Sequence, residues 1–298
     1  MAASTDALLQ HLLPDGRTLT VHAFGDTTGS PCVYVPGTPA SGLAGRLYDD
    51  AARAAGVRLL SVDKPGYGGS TYQRRRTLTG FAADIGHLLD GLGVHRFAVI
   101  GESGGGPHAL AVAHALPDRV TIALAVAGMG PADDPSVLAG MKPSNRRLVT
   151  LARLGPWTVR LPMALTRRAL SSAPRRERLV AKTLAEAGPG DARALQEMAA
   201  GQEPTAAARD AMRDSSRGAA QELALLSRAW GFDPEGIRCN VELWHGVEDV
   251  NVPAAVAEGL ARRIVGATAR VLPDEGHAVG WSRRHELMGT VARSAQAR

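Results

Sequence analysis

The chain has 298 residues, 45% of them hydrophobic, and a formal net charge of +5. That length can bury a sizeable core in one large domain with room for an insertion. No run of about 18 apolar residues is present to span a membrane, and residues 1–16 lack the basic start and apolar stretch of a secretory signal, so the cytoplasm is the expected location. In chain order, Asp15-Gly16 predicts a hairpin turn into a strand over Thr18–Phe24. A second strand is expected over Cys32–Val35, a helix over Gly42–Ala55, and a strand over Val57–Val62. A helix over Leu78–Leu92 leads to a strand over Phe97–Ile100, and Pro107–Ala115 reads as a helix before a strand over Val120–Ala127. Further on, Cys239–Trp244 alternates like a strand, Pro253–Ile264 is helical, and Ala267–Leu272 is β-rich. Strands alternating with helices predict an α/β fold with a mostly parallel, doubly covered sheet. Cys32 and Cys239, the only cysteines, fall in predicted strands without metal-type spacing and read as packed free thiols.

Gly101-Glu102-Ser103-Gly104-Gly105 matches G-x-S-x-G between a predicted strand and a predicted helix. That is the setting in which the motif has mechanical meaning. A turn this sharp tolerates only small residues two before and two after the serine, and it leaves the hydroxyl projecting above the sheet edge. A serine hydroxyl is a weak nucleophile, so it needs a base to take its proton and a carboxylate to orient that base. The fold with this elbow orders them Ser, Asp or Glu, then His. Asp249 lies in a loop just past the Cys239–Trp244 strand, and His277 lies past the Ala267–Leu272 strand. All three are expected at one edge of the sheet, where open α/β folds place their sites.

These residues resemble those of serine hydrolases of the α/β-hydrolase fold superfamily. Pro36-Gly37-Thr38-Pro39 stands where that superfamily usually has His-Gly-x-Pro, and Asp63-Lys64-Pro65-Gly66-Tyr67-Gly68-Gly69-Ser70 is similar to its loop after the next strand. The matching segments run over residues 18–128 and 238–290. The resemblance implies a Ser103, His277 and Asp249 triad that cleaves an ester or thioester through an acyl-enzyme. The backbone N–H groups of Thr38 and Gly104 would form the oxyanion hole. Asp133 and Asp134 are second-choice acids, because the Asp249 loop and its spacing to His277 fit the superfamily better. Members that hydrolyse epoxides or haloalkanes use aspartate at the serine position. A cofactor-free perhydrolase or C–C bond hydrolase could use the same triad, and a non-catalytic binding protein is the remaining alternative.

From Pro131 to Arg238 the chain reads as helices with Pro and Gly breaks. By analogy with the fold, residues 131–238 form a helical cap over a core made of residues 1–130 and 239–298. Leu148, Leu151, Leu154, Trp157, Leu161 and Leu165 recur near helical spacing and are expected to pack mainly on the core, with a few residues lining a pocket. The cap carries 17 basic and 12 acidic residues, while the remaining 17 of each cancel. A small-molecule acyl substrate with negative charge would be drawn to such a surface; a merely solvated basic face is the simpler reading. Arg74-Arg75-Arg76 reads as a solvated loop, and no nucleic-acid module or aromatic interleaving is present. No cofactor or metal is implied: no G-K-[ST] follows Gly104–Gly106, and His245 with Glu248 forms no recognised metal set. His245 reads as structural. The Glu102 side chain either faces the pocket or caps a neighbour.

Overall fold

The computed structural model describes residues 7–132, 135–201 and 205–296. Its centre is one eight-stranded sheet made of β1 (Ala7–Leu12), β2 (Thr18–Gly25), β3 (Ser30–Val35), β4 (Val57–Val62), β5 (Phe97–Glu102), β6 (Val120–Val126), β7 (Val241–Gly246) and β8 (Thr268–Leu272). The order across the sheet is β1-β2-β4-β3-β5-β6-β7-β8. β2 runs antiparallel to both β1 and β4, and every later pair is parallel.

Side chains on successive strand residues face opposite sides, and β3 shows the consequence directly. Val33 and Val35 join one core, with Phe81, Ile85 and Leu88 of α2 (Leu78–Gly91), helix residues of α3 (Gly106–Ala115), and Val256 and Leu260 of α11 (Ala255–Arg263). Cys32 and Tyr34 join the opposite core. There they meet Ala51 and Ala52 of α1 (Asp49–Ala54), Val279 of α12 (Val279–Ser282), and Leu287 and Val291 of α13 (Arg284–Gln296). Both faces are covered, so the central strands read as continuous apolar runs.

Between β6 and β7 the described residues form no strand. They build α4 (Pro135–Ala139), α5 (Pro143–Ala152), α6 (Arg160–Leu170), α7 (Ala173–Ala185), α8 (Pro189–Gly201), α9 (Ala206–Ala211) and α10 (Arg217–Leu226). A third core, which includes Val159, Met163, Leu170, Met212 and Leu223, fastens several of them to Tyr67 of the sheet's own loops. Among the described residues no helix is long and apolar enough to cross a membrane.

Several expectations need correction. The Gly42–Ala55 helix divides into a 3-10 turn over Gly42–Tyr48 and then α1. A Cβ at Gly45 would press on Ser61 and Phe24, so the first part lies too close to the sheet to widen. Cys239 sits in a bend just before β7 and is half-buried, whereas Cys32 is buried in β3; both are free thiols. Of the periodic residues, Leu148 packs against the third core, and the others do not pack on a core. Leu151, Leu154, Trp157, Leu161 and Leu165 are 46–69% exposed. Their helices turn the opposite side, with Val149, Ala152, Val159 and Met163, inward.

Candidate active site

The elbow forms because β5 ends one residue before Ser103, which adopts the left-handed region at φ 53°. That conformation is uncommon for a residue with a side chain and persists only where its surroundings enforce it. A Cβ at Gly101 would collide with the Gly105 carbonyl, and one at Gly105 would collide with the Val35 carbonyl. Only glycine fits at those two places, and the tight turn lifts Ser103 to the end of the sheet.

The ends of β7 and β8 bring the distant partners to it. Ser103 Oγ donates to His277 Nε2 at 3.0 Å, and His277 Nδ1 donates to Asp249 Oδ2 at 2.8 Å. Asp249 is fixed independently, since its Oδ1 accepts the backbone N–H groups of Asn251 (2.8 Å) and Val252 (2.9 Å). His245 Nε2 donates to the Val252 carbonyl at 2.9 Å and lies 3.2 Å from Asp249 Oδ2, so this buried imidazole also braces the carboxylate. Burial alone would raise the Asp249 pKa, but the His277 and His245 rings hold it well below the usual carboxylate range. Burial would likewise lower that of His277, yet the adjacent Asp249 carboxylate raises it to about 9. Asp133 and Asp134 lie outside the described residues.

The Pro36–Pro39 loop packs directly on the elbow. A Cβ at Gly37 would lie 3.1 Å from Ser103 Cβ, and one at Gly104 would lie 2.5 Å from Thr38 Oγ1. Thr38 and Gly104 therefore face each other beside the serine. Behind the loop lies a buried charge cluster that sequence reasoning missed. Lys64 Nζ donates to the carbonyls of Pro36 (2.7 Å) and Gly37 (3.1 Å) and pairs with Glu222 Oε1 at 2.7 Å. Thr38 Oγ1 donates to the same Glu222 oxygen at 3.0 Å, and Arg76 bonds the other. Arg74 and Arg75 are exposed as expected, but Arg76 is buried and also bonds the Pro65 carbonyl at 2.7 Å. Lys64 stands in the quoted loop, but nothing in the chain marks Glu222, some 150 positions on, as its partner.

Burial opposes the Glu222 charge, yet Lys64, Arg76 and His108 lower its pKa to about 2 from 4.5. A depressed carboxylate pKa contributes stability above its unfolded value, which is lost as pH falls towards about 2. Glu222→Ala would leave two buried cations unopposed and is expected to cost about 3–5 kcal/mol, measured as a loss of stability in denaturant. The same change at the exposed end of α7, Glu186→Ala, should fall within about 0.5 kcal/mol.

Glu102 does both things that its position allowed. Its carboxylate accepts hydrogen bonds from Tyr34 and, at 3.0 Å, from Tyr48. It also lines a cavity of about 260 Å³ beside His277. Glu186, Asp191, Lys142 and Met198 line the same space. A second cavity, of about 240 Å³, shares Thr183 and Leu195 with it and runs past Pro39 to Leu170, Leu179, Val180 and Leu184. α8 also closes the His277 side: Asp191 Oδ1 accepts the Ala278 N–H at 2.7 Å, and Glu248 accepts the Gly190 N–H at 2.9 Å.

Among the described basic residues of the segment 131–238, only Lys142 lines these cavities. Arg167 bonds the carbonyls of Met212 and Arg213, both at 2.7 Å, and Arg168 is exposed. Away from the site, His22, Asp63 and Asp210 converge closely enough to suggest a cation. Both Asp63 oxygens already accept backbone N–H groups, from Gly42 (2.6 Å) and Gly69 (2.8 Å), so the cluster reads as a brace between loops.

With this geometry in hand, comparison with known proteins decides the family. Residues 21–289 match the sequence profile of the Alpha/beta hydrolase family. The chain belongs to that family. Solved structures similar to this chain include the enol-lactonase from Burkholderia xenovorans LB400, at 19% identity and a TM-score of 0.68, covering 97% of this chain and all of that one. The esterase RhEst1 from Rhodococcus sp. ECU1013 is similar at 20% identity and a TM-score of 0.66, covering 97% and 98%. Among curated proteins, Epoxide hydrolase B of Mycobacterium tuberculosis is 30% identical over 131 residues. That match spans 40% of this chain and 37% of the relative's length. The dihydrolipoyllysine-residue acetyltransferase component of an acetoin cleaving system from Pseudomonas putida is 33% identical over 135 residues, which span 44% and 36%.

Proposed function

We propose that this hydrolase cleaves a small-molecule ester or thioester through a covalent acyl-enzyme on Ser103. The observation that carries the reading is the continuous relay from Ser103 through His277 to Asp249, at 3.0 and 2.8 Å, with the serine held in a strained elbow. Ser103 Oγ attacks the carbonyl carbon while His277 Nε2 takes its proton. His277 then returns that proton to the departing alcohol or thiol, and water repeats the cycle to release the acid. Asp249 holds the tautomer with Nδ1 protonated and stabilises the imidazolium. The N–H groups of Thr38 and Gly104 receive the developing oxyanion, a contribution of about 3–4 kcal/mol per donor. Lys64 acts at one remove, by fixing the carbonyls of the loop that aims the Thr38 N–H.

An aspartate nucleophile, as in epoxide-hydrolysing members of the superfamily, has no counterpart at the elbow: position 103 is serine. A fluorophosphonate probe tests the assignment directly, because it reacts only with an activated serine. Stoichiometric labelling with the adduct located on Ser103 by mass spectrometry is the expected result. An adduct on another serine, or no adduct in the folded protein, overturns the proposal.

Residues 131–238 act in this reading as a cap that sets substrate choice. The apolar chamber past Pro39 suits an acyl or alkyl chain, and the chamber beside His277 carries the three carboxylates Glu102, Glu186 and Asp191 against Lys142 and the His277 ring. That lining replaces the anionic substrate suggested by the cap's total charge. A substrate anion about 8 Å from one uncompensated carboxylate would be opposed by about 2 kcal/mol at an effective dielectric constant near 20. A neutral ester is therefore expected to exceed its carboxylate-bearing analogue by about tenfold or more in kcat/KM, by the same principle. Steady-state rates on the matched pair at low salt make the check, and a preference for the anion would contradict it.

A further inference from the structure

The outer face of the α5–α6 segment is large, apolar and basic, and the reaction above makes no use of it. Leu151, Leu154, Trp157, Leu161 and Leu165 follow one another at steps of three or four residues, and each is 46–69% exposed. The inner sides of the same elements are occupied, with Val149, Ala152, Val159 and Met163 buried. An outward face of this kind exposes apolar area with no partner among the described residues, and contiguous exposed apolar patches mark interaction sites. Its charge is equally one-sided. From Pro135 to Arg176 the sequence contains nine Lys and Arg residues and no Asp or Glu. Arg146, Arg147, Arg160, Arg168 and Arg175 are exposed, and none has an acidic partner among the described residues.

We propose that this face docks on the surface of an anionic lipid bilayer, with Leu154, Trp157, Leu161 and Leu165 entering the headgroup boundary and the surrounding arginines meeting lipid phosphates. An apolar stripe of Trp and Leu beside arginines is the composition of a segment that lies in the interface plane. Charge complementarity selects the lipid: each arginine held near an anionic leaflet strengthens binding, and no carboxylate in this stretch opposes it. An acidic protein would satisfy the arginines but would leave four bulky apolar side chains without a reason to be exposed together. A second copy of this chain would place the basic surface against itself, which like-charge repulsion opposes. α6 also turns Thr166 and Leu170 towards the apolar cavity, so the docked helix forms a wall of that cavity as well. Docking requires nothing of Ser103.

Trp157 is a built-in reporter, because it is 67% exposed whereas Trp230 and Trp244 are at most 4% exposed and Trp281 is half-buried, and Trp157→Phe separates its signal from that of Trp281. The full chain is mixed with vesicles of phosphatidylcholine alone and of phosphatidylcholine with phosphatidylglycerol, and binding is read by flotation. The expected result is flotation with the anionic vesicles, weakened by salt, together with a blue shift of emission that Trp157→Phe abolishes. Burying two leucine side chains contributes roughly 1.5–3 kcal/mol each, so Leu161→Asp with Leu165→Asp should weaken binding by at least about a hundredfold. Arg146→Gln with Arg147→Gln should weaken it by about thirtyfold, at roughly 1 kcal/mol per arginine. All four positions are exposed, and an unchanged circular dichroism spectrum and fluorophosphonate labelling check that the variants remain folded. No flotation with anionic vesicles overturns the proposal, as does binding that both double variants retain. A dimer in sedimentation velocity that the leucine variant dissociates would also overturn it, by showing that a second copy covers the face.

Discussion

Ser103→Ala is expected to lower turnover by about 10⁶-fold, the loss seen when the nucleophile is removed from a relay of this kind, while leaving the fold unchanged. The alanine keeps the Cβ that the elbow already accommodates and loses only the hydroxyl. Ser103 is half-buried, and the hydroxyl bonds only His277 in this arrangement, so no buried group is stranded apart from that ring nitrogen. Thermal unfolding should shift little, and fluorophosphonate labelling should vanish. A residual rate above that in water is also expected, because the Thr38 and Gly104 donors and the cavities remain. Single-turnover rates on an ester with a chromophoric leaving group make the measurement. Retention of more than a small fraction of wild-type turnover would move the nucleophile elsewhere.

Asp249→Asn should cost about 10⁴-fold in kcat, since an amide no longer holds the imidazole in the tautomer that can accept a proton from serine. Its second signature is a displaced pH profile. A base works only when neutral, so kcat/KM should rise with pH as His277 deprotonates. With Asp249 present the His277 pKa is raised to about 9 from 6.5, which places the rising limb on the alkaline side of neutrality. Removing the charge leaves burial, which lowers the pKa, against the weaker pull of Asp191 and Glu102, and the limb should move to lower pH. The stability linkage has the matching sign. The raised His277 contributes stability that is fully present below 6.5 and is lost as pH rises through about 9. In the variant this dependence should shrink in denaturant titrations. Loss of activity with an unmoved limb would show that Asp249 supports the loop without acting on His277.

Local sequence determined the elbow, because its requirements are local. Gly101 and Gly105 are needed where a Cβ would meet a carbonyl one turn away or on the adjacent strand. The sheet and its covering helices were equally legible. Alternating or continuous apolar runs such as Val57–Val62 carry their period in the chain, and the boundaries erred mostly at ends, as at Ile100 against the observed Glu102. Asp249 and His277 were found because each follows a strand, and the strands' common direction carries both loops to the edge where Ser103 stands. The chain showed the periodicity of α5 and α6 but not which side turns outward, since a helix has two sides and only its neighbours decide which one is buried. Trp157 and Leu161 looked like core and are surface; Arg76 looked like surface and is core. The pairing of Lys64 and Arg76 with Glu222 was invisible for the same reason. Composition gives a sum of charges, whereas Coulomb energy depends on distance and burial, and both are properties of the folded chain. The cap's excess of arginine therefore stated how much positive charge there was. Only the tertiary structure put carboxylates in the cavity beside His277 and exposed arginines on the outer face.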